Sequence, residues 1–286
     1  MKDFPDIVFL KLTSKCNHNC KYCYDSKKHP DMSFSKLKDL FKLISERGVK
    51  AIVLTGGEPL IREDIDSIFH EIKKYGIKIY LDTNGDFFFK YKDIIDKYVT
   101  ILGLPLDYPS EDSSYRNSEN FKNVMSILSY YSKKKGVKPL IRIGTVITKE
   151  NIGYLPDIAD LLKKYKPNSW KIYQFLPLGP NGYSNRKDLL VDNKTFTEKT
   201  ETIMKDYSKY FKIITASRET RTKAYFFISS DGTLFMPMDD EVYHGDMDLG
   251  NIFEEDILEK WKKQVHMKNY INNVERTFEH QSNMKN

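Results

Sequence analysis

The sequence predicts an α/β fold, an open or partial (β/α)6 barrel of parallel strands followed by a small C-terminal α+β extension. Short runs rich in β-branched residues alternate with longer segments whose apolar residues recur at helical spacing. This alternation is typical of βαβ units, whose helices cover the faces of a parallel sheet. Six strands are too few for a closed eight-stranded barrel. They are predicted at 7–12, 51–55, 77–82, 100–106, 139–148 and 169–175.

Amphipathic segments lie between these strands. In the first, residues 33–47, the apolar side chains from Phe34 to Ile44 share one face. Ser33 stands where an N-cap is needed, and Gly48 follows the last turn as a stop signal. Further helices with the same spacing are predicted at 64–75, 120–134 and 154–165.

The pattern changes after about residue 212. Residues 224–236 predict a β-hairpin with Asp231 and Gly232 in its turn. A helix is expected from Glu254 to about His266, followed by a polar tail. We therefore predict a barrel core over 1–212, an extension over 213–275 and a disordered tail over 276–286.

Composition excludes several classes of protein. With 40% hydrophobic residues and a net charge of +6 in 286 residues, the chain is too apolar to be intrinsically disordered. It has no run of about 20 apolar residues, which a membrane span requires. The first residues lack the apolar run of a secretory signal, so we expect a cytoplasmic protein.

The three cysteines of the chain all lie within eight residues, at the end of the first predicted strand. Cys16, Cys20 and Cys23 have the spacing CxxxCxxC, and their odd number argues against a disulfide framework. Zinc is one candidate, with His18 or His29 as a fourth ligand. A cubane iron–sulfur cluster is favoured, because three thiolates would leave one of its four irons open to a small molecule.

The cysteine spacing, with Tyr22 directly before the last cysteine, resembles the signature of the radical S-adenosylmethionine superfamily. This resemblance implies a partial barrel and a [4Fe–4S] cluster held by the three cysteines, with S-adenosyl-L-methionine bound at the open iron. It also implies reductive cleavage of S-adenosylmethionine to a 5′-deoxyadenosyl radical, which takes a hydrogen atom from the substrate. An electron donor such as flavodoxin or ferredoxin would supply the electron.

Other motifs of that family follow later strands. Gly56-Gly57-Glu58-Pro59 resembles its GGEP motif, where Glu58 is expected near the cofactor ammonium group, and Thr83-Asn84-Gly85 resembles its TNG motif. An arginine in the loop after the fourth strand is expected to bind the cofactor carboxylate, and the end of the sixth strand to contact adenine. The implied cofactor residues are Tyr22, Gly56, Gly57, Glu58, Asn84, Arg116, Phe175 and Leu176.

Three further stretches, 142–151, 170–175 and 224–228, resemble viperin-type enzymes, which convert nucleoside triphosphates to 3′-deoxy-3′,4′-didehydro analogues. The resemblance implies that Arg142, Lys149 and Tyr225 contact the substrate or take part in catalysis. A lysine that contacts phosphate in that family is replaced here by Ala51.

A small anionic substrate, with a nucleoside triphosphate favoured, is therefore expected. The alternatives are a radical enzyme that modifies a peptide or a sugar nucleotide and, more remotely, a zinc-stabilised module that binds nucleic acid. We expect neither a membrane nor a nucleic-acid partner.

Overall fold

The computed structural model describes residues 4–24, 29–111, 118–239 and 244–278. Strands in this part of the chain form one ten-stranded sheet in the spatial order 10-9-8-1-2-3-4-5-6-7, numbered along the sequence. Strands 1 to 7 are all parallel, which confirms the predicted open barrel of parallel strands. They are β1 (Ile7–Thr13), β2 (Ala51–Gly56), β3 (Lys78–Asp82), β4 (Val99–Pro105), β5 (Leu140–Ile147), β6 (Ser169–Gln174), β7 (Lys212–Ala216), β8 (Phe227–Ile228), β9 (Thr233–Asp239) and β10 (His244–Asn251).

Helices connect the parallel strands and cover the outer face of the sheet. None of the described helices is long and apolar enough to cross a membrane. They are α1 (Phe34–Glu46), α2 (Ile65–Lys74), α3 (Phe88–Tyr98), α4 (Ser118–Lys133), α5 (Leu155–Tyr165), α6 (Gly179–Ser184), α7 (Arg186–Leu189), α8 (Asn193–Tyr207), α9 (Arg218–Arg221), α10 (Ile257–Gln264) and α11 (Met267–Phe278), with 3-10 turns at Pro59–Ile61 and Ile152–Tyr154.

The helices predicted from apolar spacing are present. The side chain of Ser33 caps α1 by accepting from the backbone N of Lys36 at 3.3 Å, as its position in the sequence predicts. The elements that were not foreseen are β7, β10, α3, α6, α7, α8, α9 and α11. In α3 the apolar residues Phe88, Tyr91, Ile95 and Tyr98 do recur at helical spacing, so the sequence pattern was sufficient to predict this helix. The tail predicted to be disordered begins within α11, and residues 279–286 lie outside the described residues.

Side chains of the strands alternate between two cores, as the period of two in a β-strand requires. Val8 and Leu10 of β1 belong to the large core under the helices. Ile7 lies in a smaller cluster with residues of β2, β3 and β4, including Val53 and Tyr80. Since Val53 also lines the cavity described below, this smaller cluster closes the barrel beneath that cavity.

The segment after residue 212 extends the sheet at both edges. Strand β7 pairs with β6, and β8 pairs in parallel with β1 at the opposite side of the barrel. Strands β8 and β9 form the predicted hairpin, with Phe227 opposite Phe235 and Ile228 opposite Leu234. Strands from both sides of the predicted division at residue 212 therefore share one sheet.

Gly103 allows two charged side chains to meet across a strand. Asp82 at the end of β3 and Arg142 on β5 are in register with Gly103 on the intervening β4. The Arg142 guanidinium donates to Oδ1 of Asp82 over this glycine. A Cβ at position 103 would lie 2.0 Å from the same oxygen, so a side chain there is incompatible with the ion pair.

We predict that Gly103→Ala lowers the free energy of unfolding by about 1–3 kcal/mol, because the added methyl group forces Asp82 and Arg142 apart. Gly153→Ala is the matched control, since a Cβ at Gly153 would meet nothing within 4 Å. We expect the control to change stability by less than about 0.5 kcal/mol. Denaturant unfolding of both variants measures the difference, and equal midpoints would contradict the steric role of Gly103.

Candidate active site

The three cysteines lie together on the rim of one large cavity. Cys16, Cys20 and Cys23 belong to the loop after β1, here called the cysteine loop (residues 14–24), and all of them line a cavity of about 1380 Å³. Cys16 is exposed, Cys20 is buried and Cys23 is half-buried. The cavity lies at the carboxyl ends of the parallel strands, the edge at which α/β enzymes place their functional groups.

The end of β2 fixes the start of the cysteine loop. The backbone N–H of Gly57 donates to the Thr13 carbonyl at 2.8 Å, and that of Glu58 donates to the Lys15 carbonyl at 2.8 Å. A Cβ at Gly57 would lie 2.0 Å from the Lys15 carbonyl oxygen. Gly56 has a φ of +120°, a conformation that favours glycine. Both glycines are therefore needed for the close approach of the two backbones.

The end of β3 holds the next turn of the loop. Nδ2 of Asn84 donates to Oδ1 of Asn17 at 2.8 Å. Oδ2 of Asp86 accepts from Asn17 at 2.7 Å and lies 2.7 Å from Nε2 of His18. Burial opposes the charge on Asp86, but hydrogen bonds from His18, Asn123 and Asn17 outweigh burial and lower its pKa. Asp86 is therefore an ionised anchor for the cysteine loop.

Tyr22 anchors the loop to the end of β4. Its hydroxyl donates to Oδ2 of Asp107, whose Oδ1 accepts from the backbone N–H of Val146 at 2.8 Å. The side chain of Tyr22 also packs in a small buried cluster with Cys20 and Phe175. The aromatic residue before the last cysteine thus positions the loop as well as lining the cavity.

Helix α6 and Asn185, which lies between α6 and α7, hold the far side of the loop. Nδ2 of Asn181 donates to the Cys20 carbonyl at 3.2 Å, and Nδ2 of Asn185 donates to the Lys21 carbonyl at 3.2 Å. A Cβ at Gly179 would lie 2.9 Å from backbone atoms of the loop. The cysteine loop is therefore held from the ends of β2, β3 and β4 and from the segment after β6.

Glu58 is fully buried and is absent from the described lining of the cavity. Its carboxylate accepts from Leu60 N at 3.0 Å, from Thr83 Oγ1 at 2.7 Å and from Asn84 N at 2.7 Å. Burial raises its pKa to about 7, although these hydrogen bonds favour the charged form. The Glu58 side chain thus joins the ends of β2 and β3, and its predicted contact with the cofactor ammonium group stays a prediction.

Six of the other predicted cofactor residues line the cavity, namely Tyr22, Gly56, Gly57, Asn84, Phe175 and Leu176. Arg116 lies outside the described residues.

The predicted substrate residues do not all reach the cavity. Arg142 and Tyr225 line it. Lys149 is exposed, and its Nζ donates to the Lys187 carbonyl at 3.0 Å outside the cavity lining that the structure describes. Lys50, next to the position of the missing family lysine, pairs with Asp6 at the amino-terminal end of β2.

The cavity is also lined by Lys171 and Tyr173 of β6 and by Arg221 of α9, which were not among the predicted site residues. Nζ of Lys171 and Cζ of Arg221 each lie 5.0 Å from the centre of the Tyr173 ring. Burial raises the pKa of Tyr173 to about 12, so its hydroxyl stays protonated at neutral pH. A lysine within an otherwise apolar strand could have indicated Lys171, whereas nothing in the sequence around Arg221 distinguishes it from a surface arginine.

Basic groups outnumber acidic groups in the cavity lining. The described lining carries four basic residues, Lys15, Arg142, Lys171 and Arg221, and two acidic residues, Asp31 and Asp82. Both carboxylates have a cationic neighbour, since Lys15 Nζ lies 3.8 Å from Asp31 and Arg142 binds Asp82. The cavity is therefore suited to a ligand that carries negative charge.

A family model for the radical SAM superfamily matches residues 10–168, more than half of the chain. This chain belongs to the radical SAM superfamily. Membership in this superfamily argues against the alternative of a zinc-stabilised module that binds nucleic acid. It implies that the chain binds a [4Fe–4S] cluster and S-adenosylmethionine.

Named relatives are similar to this chain over different lengths. A probable GTP 3′,8-cyclase of Methanococcus maripaludis is 31% identical over 184 residues, which cover 60% of this chain and 59% of that protein. An S-adenosylmethionine-dependent nucleotide dehydratase of Selenomonas ruminantium is 25% identical over 264 residues, 87% of this chain and 91% of that protein. Streptococcus suis SuiB bound to S-adenosylmethionine has the same fold, with a TM-score of 0.68 and 17% identity over 95% of this chain and 68% of SuiB.

The residues around the cavity fit the cofactors that the family implies. Thiolates are the usual ligands of iron–sulfur clusters, and Cys16, Cys20 and Cys23 border the same cavity. Within the described ranges, no three His, Cys, Asp or Glu side chains are grouped to hold a single metal ion. A cubane carries its irons at separate corners, so its three ligand sulfurs need not converge on one point.

The buried carboxyl of Glu58 predicts a pH dependence of stability. Its folded-state pKa of about 7 lies above the ordinary value of 4.5, so folding retains a proton that the unfolded chain releases between these pH values. We expect the unfolding free energy of the wild type, relative to Glu58→Gln, to fall by roughly 2–3 kcal/mol between about pH 5 and about pH 8.

Denaturant unfolding of the apoprotein at several pH values measures this difference. The exposed Glu46→Gln serves as the control and should run parallel to the wild type. Parallel pH curves for the wild type and Glu58→Gln would refute the assignment.

Proposed function

We propose that this chain is a radical SAM enzyme acting on a nucleotide or a comparable small anionic molecule, and that its reaction is the dehydration of a nucleoside triphosphate. Cys16, Cys20 and Cys23 would hold the [4Fe–4S] cluster. When bound, the cluster and S-adenosylmethionine supply a 5′-deoxyadenosyl radical for hydrogen abstraction. The observation that carries the choice of substrate is the positive, aromatic-lined cavity next to the cysteine loop.

The size of the cavity favours two organic molecules. Its volume of about 1380 Å³ exceeds the roughly 300–1,000 Å³ that is typical of sites for one small ligand. S-adenosylmethionine beside the cysteine loop would leave space for a second molecule toward β6 and the C-terminal strands. A nucleotide is of suitable size for that space.

The chemistry of the remaining lining suits a nucleotide. Lys171 and Arg221 are cations that pair well with phosphate oxygens. Tyr225 packs edge-on against Phe9 with ring centres 5.2 Å apart, which offers apolar faces for a base or a sugar. The ion pair with Asp82 fixes the guanidinium of Arg142 at the cavity wall. Burial opposes the charge on Arg142, but Asp82 outweighs burial and raises its pKa, so Arg142 stays a cation.

The relatives favour a nucleotide substrate and, among nucleotide reactions, dehydration. The cyclase and the dehydratase are both named for nucleotide chemistry. An alignment that covers 87% of this chain must extend beyond residue 212, where Arg221 and Tyr225 lie, whereas the cyclase alignment covers only 60%. Cyclisation of GTP is the second candidate, because the cyclase has the higher identity, 31%.

The residues of the chain would perform three tasks. The anchors of the cysteine loop, including Asp86 and Tyr22, hold the thiolates in place for the cluster. Lining residues of β6, α9 and the β8–β9 hairpin bind the substrate and exclude water from the radical. Cys16, exposed on the loop, marks the side at which an electron donor such as flavodoxin or ferredoxin would approach.

A panel of substrates tests the proposed function. After anaerobic reconstitution and reduction, we expect at least one nucleoside triphosphate to stimulate the release of 5′-deoxyadenosine above the substrate-free rate. Cys16→Ala should abolish both the iron–sulfur absorption and the release, because one cluster ligand is lost. Stimulation by a sugar nucleotide or a peptide, with none by any nucleoside triphosphate, would disprove the proposed substrate class.

The placement of two lysines gives a second test. Lys171→Ala should raise the KM for the stimulating nucleotide by about 10-fold to 100-fold, because a buried charge-assisted contact is lost. Lys149→Ala is the matched control and should change KM by less than about 3-fold, since Lys149 lies outside the described cavity lining. The reverse order of effects would show that the substrate binds elsewhere.

A further inference from the structure

We propose that Arg221 is a substrate-recognition residue that binds a phosphate-type anionic group. This assignment rests on the proposed function and deepens it, because it names the residue that would select the charged part of the substrate. Among the cavity residues, Arg221 combines a positive charge, a fixed position and the absence of a described acidic partner.

Arg221 differs from three other arginines of the described residues because no carboxylate forms an ion pair with it. Arg62, Arg142 and Arg218 each form an ion pair, with Asp64, Asp82 and Asp239 respectively. No carboxylate of the described residues lies within ion-pair distance of Arg221. Its Nε is buried and has no hydrogen-bond partner in the described part of the chain. The guanidinium of Arg221 therefore retains its charge, and the terminal amino group that does not bind Gln174 is left to donate to a ligand.

Gln174, the last residue of β6, fixes the position of Arg221. One terminal amino group of Arg221 donates to the Gln174 carbonyl at 2.9 Å, and Oε1 of Gln174 accepts from the backbone N–H of Arg218 at 2.9 Å. Nε2 of Gln174 in turn donates to the Val191 carbonyl at 3.0 Å. Both ends of the short helix α9 are thus tied to the carboxyl end of β6.

Helix α11 braces α9 from the other side. Nδ2 of Asn269 donates to the Glu219 carbonyl at 2.8 Å, and Nδ2 of Asn273 donates to the Thr220 carbonyl at 2.9 Å. The segment that carries Arg221 is therefore held before any ligand arrives. A site held in this way binds at lower entropic cost than a flexible surface arginine does.

The surroundings of Arg221 favour phosphate as its ligand. Cζ of Arg221 and Nζ of Lys171 lie at equal distances, 5.0 Å, from the centre of the Tyr173 ring, so two cations flank one aromatic side chain. The planar guanidinium offers a fork of donors that matches the oxygens of a phosphate group. A ligand with several phosphate oxygens could contact both cations, and no covalent step is involved.

Equilibrium binding of inorganic tripolyphosphate to the reconstituted protein, with S-adenosylmethionine present, tests the assignment. We expect Arg221→Gln to weaken this binding by at least about 10-fold. Arg221→Lys should be intermediate, because it keeps the charge but loses the fork. The exposed Arg47→Gln is the matched control and should bind like the wild type. Thermal unfolding of each variant verifies that it is folded.

The outcomes separate this assignment from the proposed function. Unchanged tripolyphosphate affinity in folded Arg221→Gln, or no binding by the wild type, overturns the role of Arg221. If Arg221→Gln does not fold, Arg221→Lys decides, and an affinity equal to that of the wild type overturns the role. Arg221-dependent binding without nucleotide-stimulated release of 5′-deoxyadenosine supports the anion site and refutes the proposed function. Stimulated release with unchanged KM and affinity in Arg221→Gln supports the proposed function alone.

Discussion

The fixed backbone of the cysteine loop is the constraint on which the rest of this structure depends. The loop carries all three thiols, and it has no regular secondary structure of its own between Ser14 and Tyr24. Its position is set by hydrogen bonds from the ends of β2, β3 and β4, from α6 and from Asn185 just after α6. Because the anchors come from three different strand ends and from the segment after β6, the sulfur positions depend on the whole barrel, and a loop cut from the barrel would lose them.

Close backbone approach is the physical means by which the barrel forms this site. Gly57 permits the contact between the β2 end and the cysteine loop, and Gly103 permits the ion pair between Asp82 and Arg142. In both places a single methyl group would lie about 2.0 Å from an oxygen atom. The glycines therefore contribute space, and the hydrogen bonds formed in that space align neighbouring strands and the charged wall of the cavity.

The two ends of the chain contribute different parts of the cavity. Residues up to β6 supply the cysteine loop, its anchors and the paired charges of Arg142 and Asp82. The segment after β7 supplies Arg221, Tyr225 and the hairpin whose strand β8 pairs with β1. Under the proposed function, the first part holds the radical cofactor and also contributes Lys171 of β6 to substrate binding, and the second part contributes the other substrate-binding residues.

The sequence by itself determined the alternating fold, the hairpin and the location of the three thiols, because these depend on short-range periodicity and spacing. It also predicted that Arg142 and Tyr225 belong to the candidate site, and both line the cavity. Only the tertiary structure decided that Lys149 lies outside the described lining, while Lys171 and Arg221 lie within it. The physical reason is that charge pairing and access to a cavity depend on which distant strands become neighbours. Gln174, which positions Arg221, and Asp86, which holds the cysteine loop, show no pattern along the chain that would reveal these contacts.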